Sequence, residues 1–130
     1  MAVVRRERVE AWVRAYEEAW RAPGTGRLAE LFTADVTYLP GPWVAPVRGL
    51  VDLAEFWEAE RAGPDEGFTM ASDVVAVDAD TAVIRVEVHY DDEAVGVWRD
   101  LWVLRFTAGG RCSVFEEWPH EAARGGAAVR

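Results

Sequence analysis

The segment from Ala82 to Tyr90 alternates strictly between two kinds of side chain, and this pattern constrains the fold more than any other part of the chain. One face is mostly apolar and the other is mostly ionisable: the two sets are Ile84, Val86, Val88 and Tyr90, and Val83, Arg85, Glu87 and His89. A strict period of two predicts a β-strand that is buried on one side. Three ionisable side chains in a row face either a pocket or water, and the pattern alone leaves both open.

The remaining periodicity predicts helices first and strands afterwards. Apolar residues at helical spacing (Val9, Trp12, Val13, Tyr16 and Trp20) indicate a first helix. A short helix carrying Leu28 and Leu31 follows, and a third begins near Asp52, where Glu55 completes a capping box. Strands are predicted at residues 68–77, 81–90, 97–106 and 111–118. We therefore expect an α+β fold in which a curved antiparallel sheet packs against three N-terminal helices to make a cone.

Length and charge limit the classes of function. The chain has 130 residues, which predicts one domain over residues 1–120 and a flexible tail at 121–130. Its net charge of −9 argues against nucleic acid and anionic membrane surfaces as partners. No apolar run approaches the roughly 20 residues of a membrane span. The single cysteine, Cys112, cannot form an internal disulfide and fits a cytoplasmic protein.

The composition also predicts chemistry without a cofactor or a metal. All basic residues except the two histidines are arginines, so no lysine is present to form a Schiff base. Two histidines and one cysteine are too few for a typical zinc site. No glycine-rich phosphate-binding loop or nucleotide fingerprint is present.

The order of elements and four motifs resemble the nuclear transport factor 2-like superfamily, which includes the SnoaL-like proteins. The resemblance covers about residues 7–120, and its markers are segments 31–38, 47–49, 101–106 and 110–118. It implies a cone-shaped domain with an internal pocket and a homodimer formed through the convex sheet face. The superfamily contains isomerases, cyclases, hydrolases, dehydratases and non-enzymes, so the fold leaves the activity open.

The limonene epoxide hydrolase type offers the first candidate site. Its Arg-x-Asp strand motif resembles Arg85-Val86-Glu87, and its last-strand carboxylate and its tyrosine fall on Glu117 and Tyr38. The resemblance implies that Arg85 and Glu87 point into the cone, with Glu87 as acid and Glu117 as base. Pro40 falls on the asparagine that helps to hold the water and cannot replace it.

Two other enzyme types offer different residues. SnoaL-type polyketide cyclases use an aspartate and a histidine, for which Asp100 and His89 are the candidates. In ketosteroid isomerases a helix-1 tyrosine matches Tyr16, but the two aspartates of the family fall at Pro40 and Trp102, so that chemistry is not expected in its familiar form.

The expected function is a pocket for a small, mostly apolar molecule with acid–base chemistry: hydrolysis, isomerisation or cyclisation. The candidate substrate-binding residues are Trp12, Tyr16, Trp43, Phe56, Trp57 and Trp102. The alternative is a non-catalytic ligand-binding or dimeric accessory protein, in which Arg85, Glu87 and His89 form ion pairs on the outer sheet face. A pocket filled by tryptophan side chains would favour this alternative.

Overall fold

Three helices and six strands make up the described part of the chain. The computed structural model describes residues 3–61 and 67–122. In chain order the elements are α1 (Arg6–Arg21), α2 (Leu28–Leu31), β1 (Phe32–Leu39), β2 (Val47–Arg48), α3 (Leu50–Glu60), β3 (Phe68–Asp78), β4 (Thr81–Tyr90), β5 (Val97–Phe106) and β6 (Cys112–Glu121). The predicted α+β architecture is confirmed.

The six strands form one curved sheet in the order β2-β1-β6-β5-β4-β3. Strands β3 to β6 are an antiparallel meander, as the sequence predicted. Strand β1 runs parallel to β6, so the sheet is mixed rather than wholly antiparallel. This is possible because β1 and β6 are far apart in sequence, and no tight turn has to join them.

Aromatic side chains from the first helix and from the sheet fill the core. Trp12 packs edge-on against Phe32 and Phe106 at centroid distances of 5.5 and 5.6 Å. Tyr16 stacks on Phe115 at 5.5 Å. Such aromatic pairs add to the free energy gained from their buried area. The apolar stripe of α1 is therefore the face that fastens this helix to the concave side of the sheet.

Helix α3 begins two residues earlier than the sequence predicted. Gly49 is its N-cap residue, with φ +85° and ψ 156°, and no side chain caps the helix. The expected capping box of Asp52 and Glu55 is therefore wrong. A backbone with this φ and ψ is accessible to glycine and strained for other residues, so Gly49 sets where the helix starts.

The free edge of the sheet at β3 is irregular. The register of β3 against β4 shifts between Val74 and Ala76. At this bulge Arg6 donates from Nη1 to the Val74 carbonyl at 2.7 Å, and the Val4 N–H donates to the Ala79 carbonyl at 2.9 Å. The segment that begins α1 therefore lies against this end of β3.

The C-terminal end of the sheet extends through Glu121, which lies opposite Trp98. Residues 123–130 of the predicted tail lie outside the described residues. Within residues 3–61 and 67–122, no helix combines the length and the apolar composition needed to cross a bilayer.

Candidate functional site

A cavity of about 430 Å³ lies between the concave face of the sheet and helices α1 and α3. Its wall is mainly aromatic and aliphatic, and the polar groups that the described residues contribute are three carboxyls, three tyrosine hydroxyls and four indole N–H groups. The lining residues are Tyr16, Trp20, Tyr38, Pro40, Val44, Phe56, Trp57, Glu60, Phe68, Met70, Val88, Tyr90, Val95, Trp98, Asp100, Trp102, Glu117 and Pro119. A mostly apolar cavity with a few converging polar groups is the usual form of a small-molecule site.

The pleat of two neighbouring strands brings Asp100 and Glu117 together. Asp100 and Trp102 are two residues apart on β5 and therefore point to the same, inward face. Trp102 lies opposite Glu117 of β6. Asp100 and Glu117 are therefore diagonal neighbours on the concave face. Their carboxyl groups lie within hydrogen-bonding reach of each other. These two residues are called the carboxyl pair below.

Two tyrosines connect the carboxyl pair to the helical side of the cavity. The Tyr38 hydroxyl donates to Oε1 of Glu117 at 3.3 Å. The hydroxyls of Tyr16 and Tyr38 are also hydrogen-bonded to each other. The Tyr38 ring is held by stacking on Phe115 at 4.7 Å.

The surroundings of Glu117 favour its protonated form. Burial raises the pKa of Glu117 well above its usual range, and the hydrogen bond and the charge of Asp100 raise it further. The charge of the exposed Glu60 also raises the pKa of Glu117, by a smaller amount, whereas the hydrogen bond from Tyr38 lowers this pKa. Burial also raises the pKa of both Tyr16 and Tyr38, which keeps their hydroxyls neutral. The carboxyl pair is therefore arranged to hold a proton that a single exposed carboxyl would lose.

Several buried polar atoms of the cavity wall have no hydrogen-bond partner within the described chain. Asp100 is 8% exposed, and its Oδ1 accepts no hydrogen bond there. The indole N–H groups of Trp57 and Trp102 are likewise unpaired among the described residues. Unpaired buried polar atoms are uncommon in native proteins, and they often mark functional positions.

The predicted positions of Arg85, Glu87 and His89 inside the cone are wrong. All three lie on the convex face, where Arg85 has 66% of its side chain exposed. Glu87 binds His89 and Arg99 at 2.7 Å each, and Arg85 lies 3.5 Å from Asp73. The physical reason is the alternation of β4, since Ile84 and Val86 occupy the inward positions on either side of Arg85.

This placement has two consequences for the predicted site. The Arg85-x-Glu87 motif does not meet Glu117, and His89 does not meet Asp100, because the sheet separates the members of each pair. Hydrogen bonds from His89 and then from Arg99 lower the pKa of Glu87, as expected for a carboxylate in an exposed ion-pair network.

Four of the six aromatic residues predicted to bind substrate line the cavity: Tyr16, Phe56, Trp57 and Trp102. Trp12 does not, because it is buried in the core, where its Nε1 donates to the Leu31 carbonyl at 2.9 Å. Trp43 does not either, and it is 96% exposed on the loop before β2. Its neighbour Val44 lines the cavity instead.

Sequence reasoning missed other lining residues. The alternation of β5 places Trp98 on the same face as Asp100 and Trp102, so this pattern was enough to predict that Trp98 lines the cavity. Trp20 is a further turn along the apolar stripe of α1 and could have been found in the same way. Nothing in the sequence marks Glu60, which lies at the last position of α3.

The described residues that line the cavity include no arginine and no histidine. Within the described part of the chain, no group of three or more His, Cys, Asp and Glu residues is arranged to hold a metal ion. The chemistry that this arrangement can perform with its own groups is proton transfer between a carboxyl pair and a molecule enclosed by aromatic rings.

Several solved structures share this fold at low sequence identity. A candidate ketosteroid isomerase from Kribbella flavida has 20% identity and a TM-score of 0.68, with coverage of 94% of this chain and 84% of that one. A protein of unknown function with a cystatin-like fold from Methylobium petroleophilum has 17% identity and a TM-score of 0.71, covering 98% and 85%. The epoxide hydrolase/cyclase-like enzyme SalBIII of pyran ring formation in salinomycin has 14% identity and a TM-score of 0.69, covering 88% and 91%.

Family membership rests on a sequence match rather than on these structural likenesses. No curated protein matches the chain. The family model for the SnoaL-like domain matches residues 13–115, which include the second half of α1, α2, α3, β1 to β5 and the start of β6. The chain therefore belongs to the SnoaL-like domain family.

Proposed function

We propose that the cavity binds a small, mostly apolar molecule and that the carboxyl pair transfers protons to and from it without a cofactor. The observation that carries this proposal is the diagonal placement of Asp100 and Glu117 on the concave face, at the wall of an aromatic cavity. Burial and the neighbouring Asp100 raise the pKa of Glu117, so Glu117 is available as an acid while Asp100 lies beside it as the candidate base. Hydrolysis, isomerisation and cyclisation can each use an acid and a base placed in this way.

The surroundings of the two carboxyls suggest how the roles divide. Glu117 holds the proton, because it is desolvated and next to Asp100. It would donate that proton to an oxygen of the substrate. Asp100 has the unpartnered Oδ1, which would accept a proton from water or from a carbon of the substrate. Tyr38 would orient Glu117 through its hydrogen bond, and Tyr16 would orient Tyr38.

The second candidate function is a dimeric accessory protein without catalysis. It is favoured by the convex face, where Leu101 and Trp118 lie opposite each other on β5 and β6 and are 42% and 41% exposed. We propose that this pair contributes to a homodimer interface. The same interface is compatible with an enzyme, so the interface alone does not decide between the two functions.

The deciding experiment is a mass-spectrometric turnover screen with small epoxides, ketones and polyketide-like methyl esters. The expected result is turnover by the wild type that falls at least about a hundredfold in both Glu117→Gln and Asp100→Asn. Glu116→Gln is the matched control, because it makes the same change on the opposite face of β6. Glu87→Gln should also retain activity.

Two results would contradict the proposal. The first is activity that survives in both variants of the carboxyl pair. The second is activity that is lost in Glu87→Gln, which would move the chemistry to the convex face.

A further inference from the structure

The charges around the cavity all have the same sign. Glu60, Asp100 and Glu117 line it, and no basic side chain is among the described lining residues. Two arginines lie close behind the aromatic wall: Arg21 is 4.0 Å from the Phe68 ring centroid, and Arg61 is 5.5 Å from that of Trp20. Arg21 lies 2.8 Å from Glu17 and Arg61 lies 2.7 Å from Glu58, although the Nε of Arg61 is buried without a hydrogen-bond partner in the described chain.

The acceptor oxygen of Asp100 also favours a ligand group of a particular kind. Its Oδ1 is buried, and apart from the protonated carboxyl of Glu117 no group of the described residues donates to it. An anionic ligand would bring further acceptors and like charge to this position, which is unfavourable in a poorly solvated site. A ligand that brings N–H donors and a positive charge would satisfy the acceptor and offset the charge.

The rest of the wall consists largely of aromatic side chains. Aromatic side chains reach the cavity from α1, α3 and four strands, including the indoles of Trp20, Trp57, Trp98 and Trp102. The faces of aromatic rings attract cations, and tryptophan attracts them most strongly. The stacking of Arg21 and Arg61 on two of these rings shows the same attraction operating from outside the cavity.

We propose that the cavity selects an organic cation: a small ammonium compound with an apolar body, whose nitrogen lies against the carboxyl pair while its body lies among the rings. This inference rests on the proposed function, because it uses the same cavity and the same two carboxyls. It goes further by naming the charge class of the ligand and by excluding anions.

A proton accompanies the binding of such a cation. The titratable groups that face Glu117 are Tyr16 from α1, Tyr38 from β1, Glu60 from α3 and Asp100 from β5, with Tyr90 of β4 also lining the cavity. None of them is cationic, so a bound cation would be the first positive charge beside the pair. It would favour the ionised form of Glu117 and release its proton to solvent.

The test uses four soluble probes that share one ring: benzylammonium, benzyltrimethylammonium, benzyl alcohol and benzoate. Isothermal titration calorimetry on the full chain near neutral pH measures affinity, and two buffers of different ionisation enthalpy give the number of protons released. We expect benzylammonium, which brings both N–H donors and a charge, to bind about tenfold more tightly than benzyl alcohol, and benzoate not to bind. Benzyltrimethylammonium, which brings the charge without an N–H donor, should fall between benzylammonium and benzyl alcohol. We expect benzyltrimethylammonium, which carries no transferable proton, to release up to one proton for each molecule bound.

Variants of the pair separate charge recognition from cavity shape. Asp100→Asn and Glu117→Gln should each reduce the preference for cations over benzyl alcohol and abolish proton release, while benzyl alcohol still binds. Glu116→Gln should behave as the wild type. The inference is overturned if benzyl alcohol or benzoate binds as tightly as the cations, or if the preference for cations survives in both variants.

The binding measurements and the turnover screen together distinguish this inference from the proposed function. If neutral substrates turn over through the carboxyl pair but the probes show no preference for charge, the inference fails and the proposed function stands. If the cations bind with release of a proton but the turnover screen finds no activity dependent on the pair, the inference stands and catalysis is rejected.

Discussion

Glu116 and Glu117 are consecutive residues of β6 that the pleat sends to opposite faces of the sheet. Glu116 accepts a hydrogen bond from the indole of Trp118 on the convex side. Glu117 faces the cavity, where burial and Asp100 raise its pKa. Two consecutive glutamates therefore differ in their chemistry because the fold places them in different surroundings.

The stability of the protein should depend on pH in the way that the raised pKa of Glu117 predicts. Its pKa is higher in the folded than in the unfolded state, so the folded state binds more protons, and stability falls as pH rises above the unfolded value of roughly 4.3. Each pKa unit of this elevation removes about 1.4 kcal/mol above the folded pKa. Glu117→Gln keeps the hydrogen-bonding shape of the protonated acid and should unfold at a higher temperature than the wild type at pH 8.

Thermal unfolding followed by circular dichroism from pH 4 to pH 8 measures this effect. The advantage of Glu117→Gln should shrink toward acid pH, because Glu117 is then protonated in both the folded and the unfolded state. Glu116→Gln should show no such dependence. An advantage of Glu117→Gln that is constant across this range would mean that the pKa of Glu117 is not raised.

Removal of one hydroxyl tests the positioning of Glu117. In Tyr38→Phe the ring still stacks on Phe115, so the loss of stability should be only about 1 kcal/mol. Turnover should fall about tenfold or more, mainly in kcat, and the pH profile should shift because Glu117 loses a hydrogen bond that favours its ionised form. An unchanged pH profile would show that Tyr38 acts only through packing.

At the scale of elements, the period of the sequence divided β4 into two faces but left open which of them faces the cavity. The structure places Ile84 and Val86 inward, so Arg85 and Glu87 face outward. The resemblance to a motif of an epoxide hydrolase implied the opposite face. Asp100 and Glu117 could be proposed from strand patterns and the resemblance, but their mutual contact depends on the register between β5 and β6, which no local pattern encodes.

Element boundaries were predictable where side chains determine them and not where the backbone does. Strands β4 and β5 begin and end at the predicted residues. The start of α3 was missed because it depends on the positive φ of Gly49 rather than on a capping side chain. The parallel pairing of β1 with β6 is a long-range contact that short-range periodicity does not reveal.

Gly49→Ala should therefore be costly for this chain. Alanine at φ +85° and ψ 156° is strained by about 1 to 3 kcal/mol, although the Ala34 carbonyl oxygen, 3.8 Å from the added Cβ, leaves room for it. Urea denaturation should show a loss of that size. Gly26→Ala is the matched control, because its φ is not in the left-handed region and its Cβ would meet nothing within 4 Å. Equal effects of the two substitutions would contradict this account of the start of α3.

At the scale of the whole molecule, the sheet separates two surfaces with different uses. Its concave face and the helices enclose the aromatic cavity with the carboxyl pair. Its convex face carries the ion pairs of Glu87 and the exposed pair Leu101 and Trp118. A substitution on one face should therefore leave the other face unchanged, provided that the sheet stays folded.

The proposed dimer offers a test of this separation. Leu101→Glu places a charge at the centre of the proposed interface and should shift sedimentation toward the monomer, while the circular dichroism spectrum and probe binding are retained. Val75→Glu is the control, because Val75 is similarly exposed at 43% but lies on the edge strand β3. A wild-type protein that sediments as a monomer would reject the interface.

The irregular edge at β3 has a consequence for how copies of this chain can meet. The opposite edge strand, β2, has two residues, which is too short to template a partner. At the other edge the register shift interrupts the ladder, and Arg6 occupies the Val74 carbonyl. The edge at β3 is therefore interrupted at Val74, although Phe68 to Asp73 pair with β4 in an unbroken register and form the longer margin of the sheet. A contact made on the convex face, through side chains such as Leu101 and Trp118, can instead be changed one residue at a time without disturbing the backbone.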